Sequence, residues 1–405
     1  MNTKCFVPAD ILIPRNTDMT KWSVVACDQY TSQPEYWEDV AKMTGGAMST
    51  YNITLPEIYL ESGDVDGRIS DINRTMLEYI PLMREYKNVF VYVERTLQNG
   101  RIRRGIVGAV DLEEYDYSKG STSLIRATEG TVLERIPPRV RVRENASLEL
   151  PHIMLLADDV NKTVIEPLSG QKEAFEKIYD FDLMKDSGHV AGYIVPPAQC
   201  EKVIKAYEAL ASGDAPLLFA VGDGNHSLAT AKSCYESIKK TLPRGEAICH
   251  PSRYALAELV NLHDPSLEFE AIHRVVFGVN GEKLAVDFLK YCEENKAPNE
   301  PQTFTYICGT VENTVTVKDP PSAIEAGTLQ RFLDGCGCEK IDKIPGADVA
   351  RELGKKEGNL GFILEDMPKS ALFRTVINDG ALPRKTFSMG HACDKRFYLE
   401  CRKIR

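Results

Sequence analysis

Val221-Gly222-Asp223-Gly224-Asn225-His226-Ser227 lies between the apolar run Leu217 to Val221 and a stretch that repeats Leu228, Ala231, Tyr235 and Ile238 at helical spacing. The pattern predicts strand, glycine turn, helix. A turn of this kind lets backbone N–H groups point at an anion, and the helix N-terminus adds about half a positive charge there. Ser227 is suited to cap the helix or to donate its hydroxyl to a phosphate oxygen. His226 stands where an imidazole donor could meet phosphate. Asp223 could orient His226 or join a magnesium shell. A second reading of the same residues is a tight turn with Asn225 as helix cap and a buried histidine. The stretch is not a Walker A loop, because no Gly-Lys-Ser/Thr follows. It is not a dinucleotide fingerprint either, since the Gly-x-Gly-x-x-Gly spacing fails at Ser227.

Short strands and helices alternate on both sides of this turn. Asn88 to Leu97 and Arg101 to Leu112 flank Asn99-Gly100, the strongest short hairpin signal, with positive φ expected at both turn positions. Val65 to Tyr79 carries Ile69, Ile72, Met76 and Tyr79 at helical spacing. Pro151 to Ala157 reads as a buried strand and Cys200 to Leu210 as a helix stopped near Gly213. Thr303 to Cys308 and Thr314 to Val317 suggest another hairpin. Ser322 to Leu333 and Ala347 to Leu353 suggest helices, and Gly361 to Leu364 a buried strand. Glu134 to Glu144 holds four arginines and two prolines. The prolines predict extended backbone there, either a solvated linker or a nucleotide-facing basic loop. The fold class expected is α+β with mixed sheets. The organisation expected is an N-terminal α+β region over 1–130, a core with the glycine turn over 131–280 and a C-terminal α/β region over 281–405.

The 405 residues are 43% hydrophobic, enough to bury a sizeable core and to exclude disorder as the main state. The balance of 59 acidic against 49 basic side chains argues against nucleic acid as a partner, because phosphate neutralisation needs clustered Lys and Arg. No run of eighteen apolar residues is present, so no membrane-spanning helix is expected. Met1 to Pro14 lacks a basic flank followed by an apolar stretch. With eleven scattered cysteines and no secretion signal, a reduced cytoplasmic protein is expected. Cys336 and Cys338 are spaced too tightly for a zinc knuckle and read as a loop after a helix. No other motif supplies metal ligands.

The strand, Asp223-Gly224-Asn225-His226 and helix together resemble the Asp-Gly-His-His-Arg motif of the ParB/sulfiredoxin-like superfamily, in which this turn cradles nucleotide phosphates. Within that superfamily the chain resembles the large bacterial and archaeal domain-of-unknown-function family related to the free L-serine kinases. Arg126-Ala127-Thr128-Glu129 stands where that family has Arg-His-Glu. Asn261 to Val276 resembles its Asp-Pro-Gly-Leu and Thr-His-Arg pattern, and Leu382 to Phe387 its Met-Pro-x-Lys-Ser-Thr tail. The likeness runs roughly from Ala26 to the end of the chain.

The resemblance implies a ParB/sulfiredoxin-like phosphate-binding core with a nucleotide site. Its residues would be Gly222, Asp223, Gly224, Asn225, His226, Ser227, Arg126, His273, Arg274 and Lys385. On the residues alone, Arg126 and Glu129 could instead form an ion pair on one helical face. The serine kinases place an acidic base before an N-terminal helix. Asp28 fits that place with Glu35 in reserve, although Asp28 or Ser32 could simply cap a helix over Pro34 to Met43. The activity implied is a small-molecule kinase moving a phosphoryl group from ADP or ATP, with magnesium accompanying the nucleotide, to a hydroxy amino acid such as serine. Alternatives are a non-catalytic nucleotide-binding regulator and a nucleotide phosphohydrolase. Two positions depart from the motif: Asn225 replaces its second histidine and Ser227 its arginine. Serine cannot replace the charged fork of arginine, so another cation must compensate. His226, Arg274, Lys385, Arg139, Arg141 and Arg143 are the candidates.

Overall fold

The computed structural model describes residues 4–25, 30, 33–60, 63–131, 134, 136–150, 152–213 and 215–405. The chain divides into two units, one of residues 1–127, 131–267 and 391–405, the other of residues 128–130 and 268–390. Each combines helices with a β-sheet.

In the first unit β1 (Phe6–Val7), β2 (Ala9–Pro14), β3 (Met83–Thr96), β4 (Ile102–Asp111), β5 (Tyr115–Asp116) and β6 (Ile125–Ala127) come early in the chain. The short β7 (Leu148–Glu149) precedes β8 (Met154–Ala157), β9 (Glu176–Asp182), β10 (His189–Val195), β11 (Phe219–Asp223) and β12 (Tyr254–Asn261). The large sheet runs β5-β6-β11-β8-β12-β4-β3-β10-β9, with β1 paired to β4 and β2 to β3. It is mixed. β5 with β6, β6 with β11 and β8 with β12 are parallel, and the other pairs are antiparallel. The helices are α1 (Met19–Trp22), α2 (Pro34–Thr44), α3 (Val65–Tyr79), α4 (Ile136–Arg143), α5 (Glu166–Ser169), α6 (Pro197–Glu208), α7 (Asn225–Thr241) and α8 (Arg244–Cys249).

Strand periodicity explains why both faces of this sheet are covered. Successive side chains point to opposite faces. Phe90 and Tyr92 of β3 therefore join a core with Tyr207 of α6 and Leu228 and Tyr235 of α7. Val91 and Val93 join the other core, with Trp22, Trp37 and Met76. Burying a large apolar side chain contributes about 1.5–3 kcal/mol, and both cores hold many such residues. The β11–α7 unit is pinned on the first core by Phe219, Val221 and Leu228, each fully buried.

The second unit carries β13 (Phe269–Phe277), β14 (Gln302–Cys308), β15 (Val311–Val317), β16 (Lys340–Pro345), β17 (Asn359–Ile363) and β18 (Phe387–Met389). The order is β15-β14-β17-β13-β16, with β18 on β13. Its helices are α9 (Gly281–Glu294), α10 (Glu325–Gly335), α11 (Ala347–Gly354) and α12 (Lys369–Asn378). Phe288 of α9 sits at its centre, with ring centroids 4.9 Å from Phe304 and 5.4 Å from Phe332 and Phe362.

Residues 391–405 form a tail within the first unit. β19 (Arg402–Lys403) pairs antiparallel with β7. Leu12 and Cys401 exchange both backbone hydrogen bonds, and Trp22 Nε1 donates to the Leu399 carbonyl at 2.8 Å. Arg396 is buried between Glu258 (2.7 Å) and Glu400 (2.6 Å), and Arg402 donates to Glu149 at 2.6 Å.

The helix expected over Val65 to Tyr79 is present with those bounds, and both hairpins form. The Asn99-Gly100 turn differs in detail. Gly100 alone of the two has positive φ, and Gly100 N–H donates to the Leu97 carbonyl at 2.9 Å while Leu97 N–H donates to Arg101. One left-handed residue therefore closes the hairpin, as in a turn with a glycine bulge. The extended linker expected over Glu134 to Glu144 is overturned, because Ile136 to Arg143 is helical. Pro137 and Pro138 fall in its first turn, where the missing N–H has no intrahelical acceptor to lose. Cys336 and Cys338 do lie on the loop after α10, with their sulfurs joined. Among the described residues no helix is long and apolar enough to cross a membrane.

Candidate functional site

β11 runs between β6 and β8, with Ala220 opposite Arg126 and Val221 opposite Leu155. Its last residue, Asp223, is followed by Gly224 at φ +80°, and α7 starts at Asn225. An L side chain disfavours that φ, and a Cβ on Gly224 would stand 3.0 Å from the Ile153 Cα. Glycine thus lets the chain reverse tightly against β8 and open a helix at once. The sequence offers Ser227 as a cap in one reading and Asn225 in the other, but Gly224 holds the cap position. Asn225 is the first helical residue, buried, with Nδ2 3.4 Å from the Val221 carbonyl. Ser227 is the third. The amides of a first helical turn lack intrahelical acceptors and carry the positive end of the helix dipole.

The Asp223 carboxylate accepts the Gly224 N–H at 2.8 Å and lies 3.2 Å from Lys395 Nζ. Burial pushes this carboxyl up, but Lys395 and then His152 more than offset it, so the group sits below the usual carboxylate range. His152 Nδ1 is 3.0 Å from the Tyr398 hydroxyl. Beside the first turn of α7 is a cavity of about 170 Å³. Its polar wall includes Ser227 and Thr230 of α7, Arg139 and Arg143 of α4, His152 and Tyr398. Its apolar wall includes Ile53, Leu55, Leu60 and Leu150. The two arginines reach it because α4 packs on α7. Both are already paired, Arg139 with Glu57 and Arg143 with Glu149 at 2.5 Å. Glu149 is buried. Burial raises its pKa, but the guanidiniums of Arg402 and Arg143 prevail and hold it below the usual range. The cavity thus offers hydroxyl, imidazole and guanidinium groups together with the carboxylates of Glu57 and Glu149 and several apolar side chains. The hydroxyl and imidazole groups can donate to an anionic ligand, while Glu57 and Glu149 neutralise the two arginines.

The other residues singled out from sequence lie as follows. Asp28 and Ser32 are outside the described residues. Glu35 is exposed in the first turn of α2. His226 is half-buried in the first turn of α7, its carbonyl accepting the Thr230 hydroxyl at 2.7 Å. Gly222 is half-buried in β11. Arg126 belongs to a strand, which removes the helical ion pair with Glu129 considered above. Its guanidinium donates to the carbonyls of Ser123 (2.8 Å), Ala215 (2.9 Å) and Pro216 (3.4 Å). Arg141 pairs with Asp66.

His273, Arg274 and Lys385 belong to the second unit. His273 is buried on β13, and its Nδ1 accepts the Leu364 N–H at 3.2 Å. Burial, with Arg351 behind it, lowers its pKa. Arg274 donates to the carbonyls of Ile272 (2.6 Å) and Arg384 (3.3 Å) and to Gln330 (3.1 Å). Burial pushes it down to about 10. Lys385 has φ +57° and donates its backbone N–H to Glu129 at 3.1 Å. Among the described residues no group of three His, Cys, Asp or Glu side chains could hold a metal ion.

His152, Tyr398 and Lys395 were missed in the sequence. None carries a local motif, and each reaches the turn only through long-range packing.

A family model described as a protein of unknown function, DUF1015, matches residues 11–336. The chain belongs to this family. The match agrees with the domain-of-unknown-function family that the motifs resemble, and it leaves the tail with Lys395 and Tyr398 outside the matched residues. No curated protein matches the chain. Among solved structures, one similar to it is a mutant free serine kinase in complex with AMP, 11% identical, covering 73% of this chain and 91% of that one at a TM-score of 0.37. Another is a mutant free serine kinase in complex with ADP, also 11% identical, covering 75% and 93% at 0.37. A third is SbnI with a C-terminal truncation from Staphylococcus aureus, 11% identical, covering 70% and 82% at 0.36. Likeness at this level does not transfer an activity.

Proposed function

We propose that this protein is a small-molecule kinase that moves a phosphoryl group from ADP or ATP to a hydroxy amino acid such as serine. The observation that carries the reading is the first turn of α7, opened by the left-handed Gly224, whose Ser227 lines a cavity shared with Arg139, Arg143 and His152. In this reading the turn is a ParB/sulfiredoxin-like phosphate cradle. The amides of Asn225, His226 and Ser227 and the Ser227 hydroxyl hold phosphate oxygens. Lys395 supplies the charge that Ser227 lacks, and the apolar wall takes the nucleoside. Magnesium would come with the nucleotide, with Asp223 as the residue that could join its shell, and would supply charge neutralisation for phosphoryl transfer. The acceptor hydroxyl loses its proton to Asp28, with Glu35 in reserve, as its oxygen bonds to phosphorus and the bridging phosphate oxygen departs with the nucleotide. The contacts of Arg126, His273 and Arg274 with backbone groups favour a framework role for those three.

One observation favours a second reading, a nucleotide-binding regulator without turnover. The cations near the turn are already paired, Arg139 with Glu57, Arg143 with Glu149 and Lys395 with Asp223. Isothermal titration with ADP, ATP and CTP, with and without magnesium, tests both. Heat with ADP or ATP, followed by a phosphorylated product from a panel of hydroxy amino acids, is the expected result. Binding without product selects the regulator, and no heat with any nucleotide ends both readings.

A further inference from the structure

The loop after α10 holds two cysteines that the kinase reading does not use. Cys336 and Cys338 are joined, with their Cα atoms 5.5 Å apart and only Gly337 between them. A disulfide stabilises a fold mainly by tying distant parts of the chain, and its effect grows with the length of the loop it closes. This one spans a single residue and lies wholly between α10 and β16, so it ties no element to another. The other cysteines among the described residues carry free thiols, and Cys5, Cys200, Cys234, Cys292 and Cys401 are buried in the cores. The fold therefore does not rest on the Cys336–Cys338 bond, and the bond can open and close without disturbing its surroundings.

The loop is also open to a third sulfur. Both cysteines are half-exposed, and Gly335 and Gly337 are exposed. Apart from chain neighbours, no atom stands within 4 Å of the place a Cβ would take on either glycine. Exchange needs an attacking sulfur to reach the bond, and bare glycine backbone on either side of Cys336 leaves room for it. The two sulfurs are not equivalent. Cys336 takes the C-cap position of α10, and its Sγ lies 3.2 Å from the Leu333 carbonyl in the last turn. Once reduced, the Cys336 thiol has that carbonyl as a ready acceptor, and the negative end of the helix dipole opposes a thiolate there. Cys338 lies beyond the helix end. Cys338 is therefore the sulfur placed to attack, and Cys336 the one placed to resolve.

We propose that Cys336 and Cys338 form a thiol–disulfide exchange site whose co-reactant is a low-molecular-weight disulfide. The Cys338 thiolate attacks one sulfur of that disulfide, forms a mixed disulfide and releases one thiol. The Cys336 sulfur, its proton passing to solvent, then attacks Cys338 Sγ and expels the second thiol. Two protein thiols are oxidised and one small disulfide is reduced to two thiols. The reverse sequence, with a small thiol as reductant, reopens the bond. The proposal is independent of the kinase reading. Its test uses the full chain equilibrated in glutathione buffers from fully reduced to fully oxidised, quenched in acid, alkylated after denaturation and digested with trypsin. Both cysteines fall in the peptide Phe332 to Lys340. The expected result is that this peptide loses both labels together as the buffer is oxidised, with the mass of one internal disulfide, and regains both as it is reduced. A brief pulse of oxidised glutathione should leave a mixed disulfide on Cys338 in Cys336→Ser, and less on Cys336 in Cys338→Ser. Labels kept at every ratio, a bond that survives excess reductant, or wild type carrying glutathione adducts in place of the internal disulfide would each overturn the proposal. Equal trapping in the two variants would overturn the order of attack.

Discussion

Replacing Lys395 with methionine is the sharpest perturbation of the site, because it removes one charge and keeps most of the side-chain volume. Lys395 Nζ is 3.2 Å from Asp223 Oδ2, with side chains 12% and 29% exposed. At an effective dielectric of about 20 the raw attraction is about 5 kcal/mol. Much of it offsets the desolvation of the two groups. What matters for the variant is the charge left behind, and stranding one member of a buried pair costs about 3–5 kcal/mol. With Asp223 partly solvated, Lys395→Met should lose about 3 kcal/mol in denaturant unfolding at neutral pH. Adding Asp223→Asn should recover most of that loss. The sign with pH follows from the same pair. Asp223 is held below the ordinary carboxylate value of 3.8, so its contribution is present above that value and is lost as pH falls through the folded one. The gap between wild type and Lys395→Met should therefore close in acid. Function separates from stability in calorimetry. A charge-assisted contact to phosphate is worth about 1.5–3 kcal/mol, so ADP should bind roughly 10–100-fold more weakly while adenosine binds as before. The double variant should regain stability without regaining ADP affinity. If Lys395→Met melts lower yet binds ADP as wild type does, the lysine is only structural. If it melts unchanged, the pairing argument is wrong.

Gly224→Ala should destabilise the first unit by about 2–3 kcal/mol in urea unfolding, since a left-handed alanine costs about 1–2 kcal/mol and its Cβ also meets the Ile153 backbone at 3.0 Å. Arg126→Met leaves the carbonyls of Ser123, Ala215 and Pro216 without their donor. A loss of about 2–3 kcal/mol by the same assay, with ADP affinity retained in the folded fraction, is expected. His273 must be neutral to accept the Leu364 N–H, and its folded pKa lies below 6.5. Its contribution is intact above about pH 6.5 and is lost as pH falls from there through the folded value. Thermal midpoints between pH 7 and 5 should fall less steeply in His273→Asn than in wild type. An equal slope would remove His273 from the account.

Much of the fold is legible along the chain wherever a short-range rule acts alone. The helical spacing of Ile69, Ile72 and Met76 marks α3, and Asn99-Gly100 marks the β3–β4 hairpin. Where two local rules compete, the reading fails. Pro137 and Pro138 forbid a helix interior but suit a helix start, and only the placement of α4 against α7 shows which rule applies. The same helix then brings Arg139 and Arg143 to the cavity that holds Ser227. The cap at Gly224 is not legible in the sequence, where Asn225 or Ser227 is the candidate, because a polar side chain signals a cap whereas a positive φ leaves no mark beyond the glycine itself.

By itself the sequence determines that an apolar strand ends in Asp223-Gly224 and turns into an amphipathic helix, because period and turn chemistry act over a few residues. It also places the chain in its family, whose model matches residues 11–336. Only the tertiary structure decides what faces that turn. Lys395 and Tyr398 arrive on a tail that re-enters the first unit and is bonded to Leu12, Val24, Glu149 and Glu258. Their neighbours Asp223 and His152 lie far away in the chain. Meetings of that kind are set by the summed packing and pairing of the whole sheet, and no local stretch encodes them.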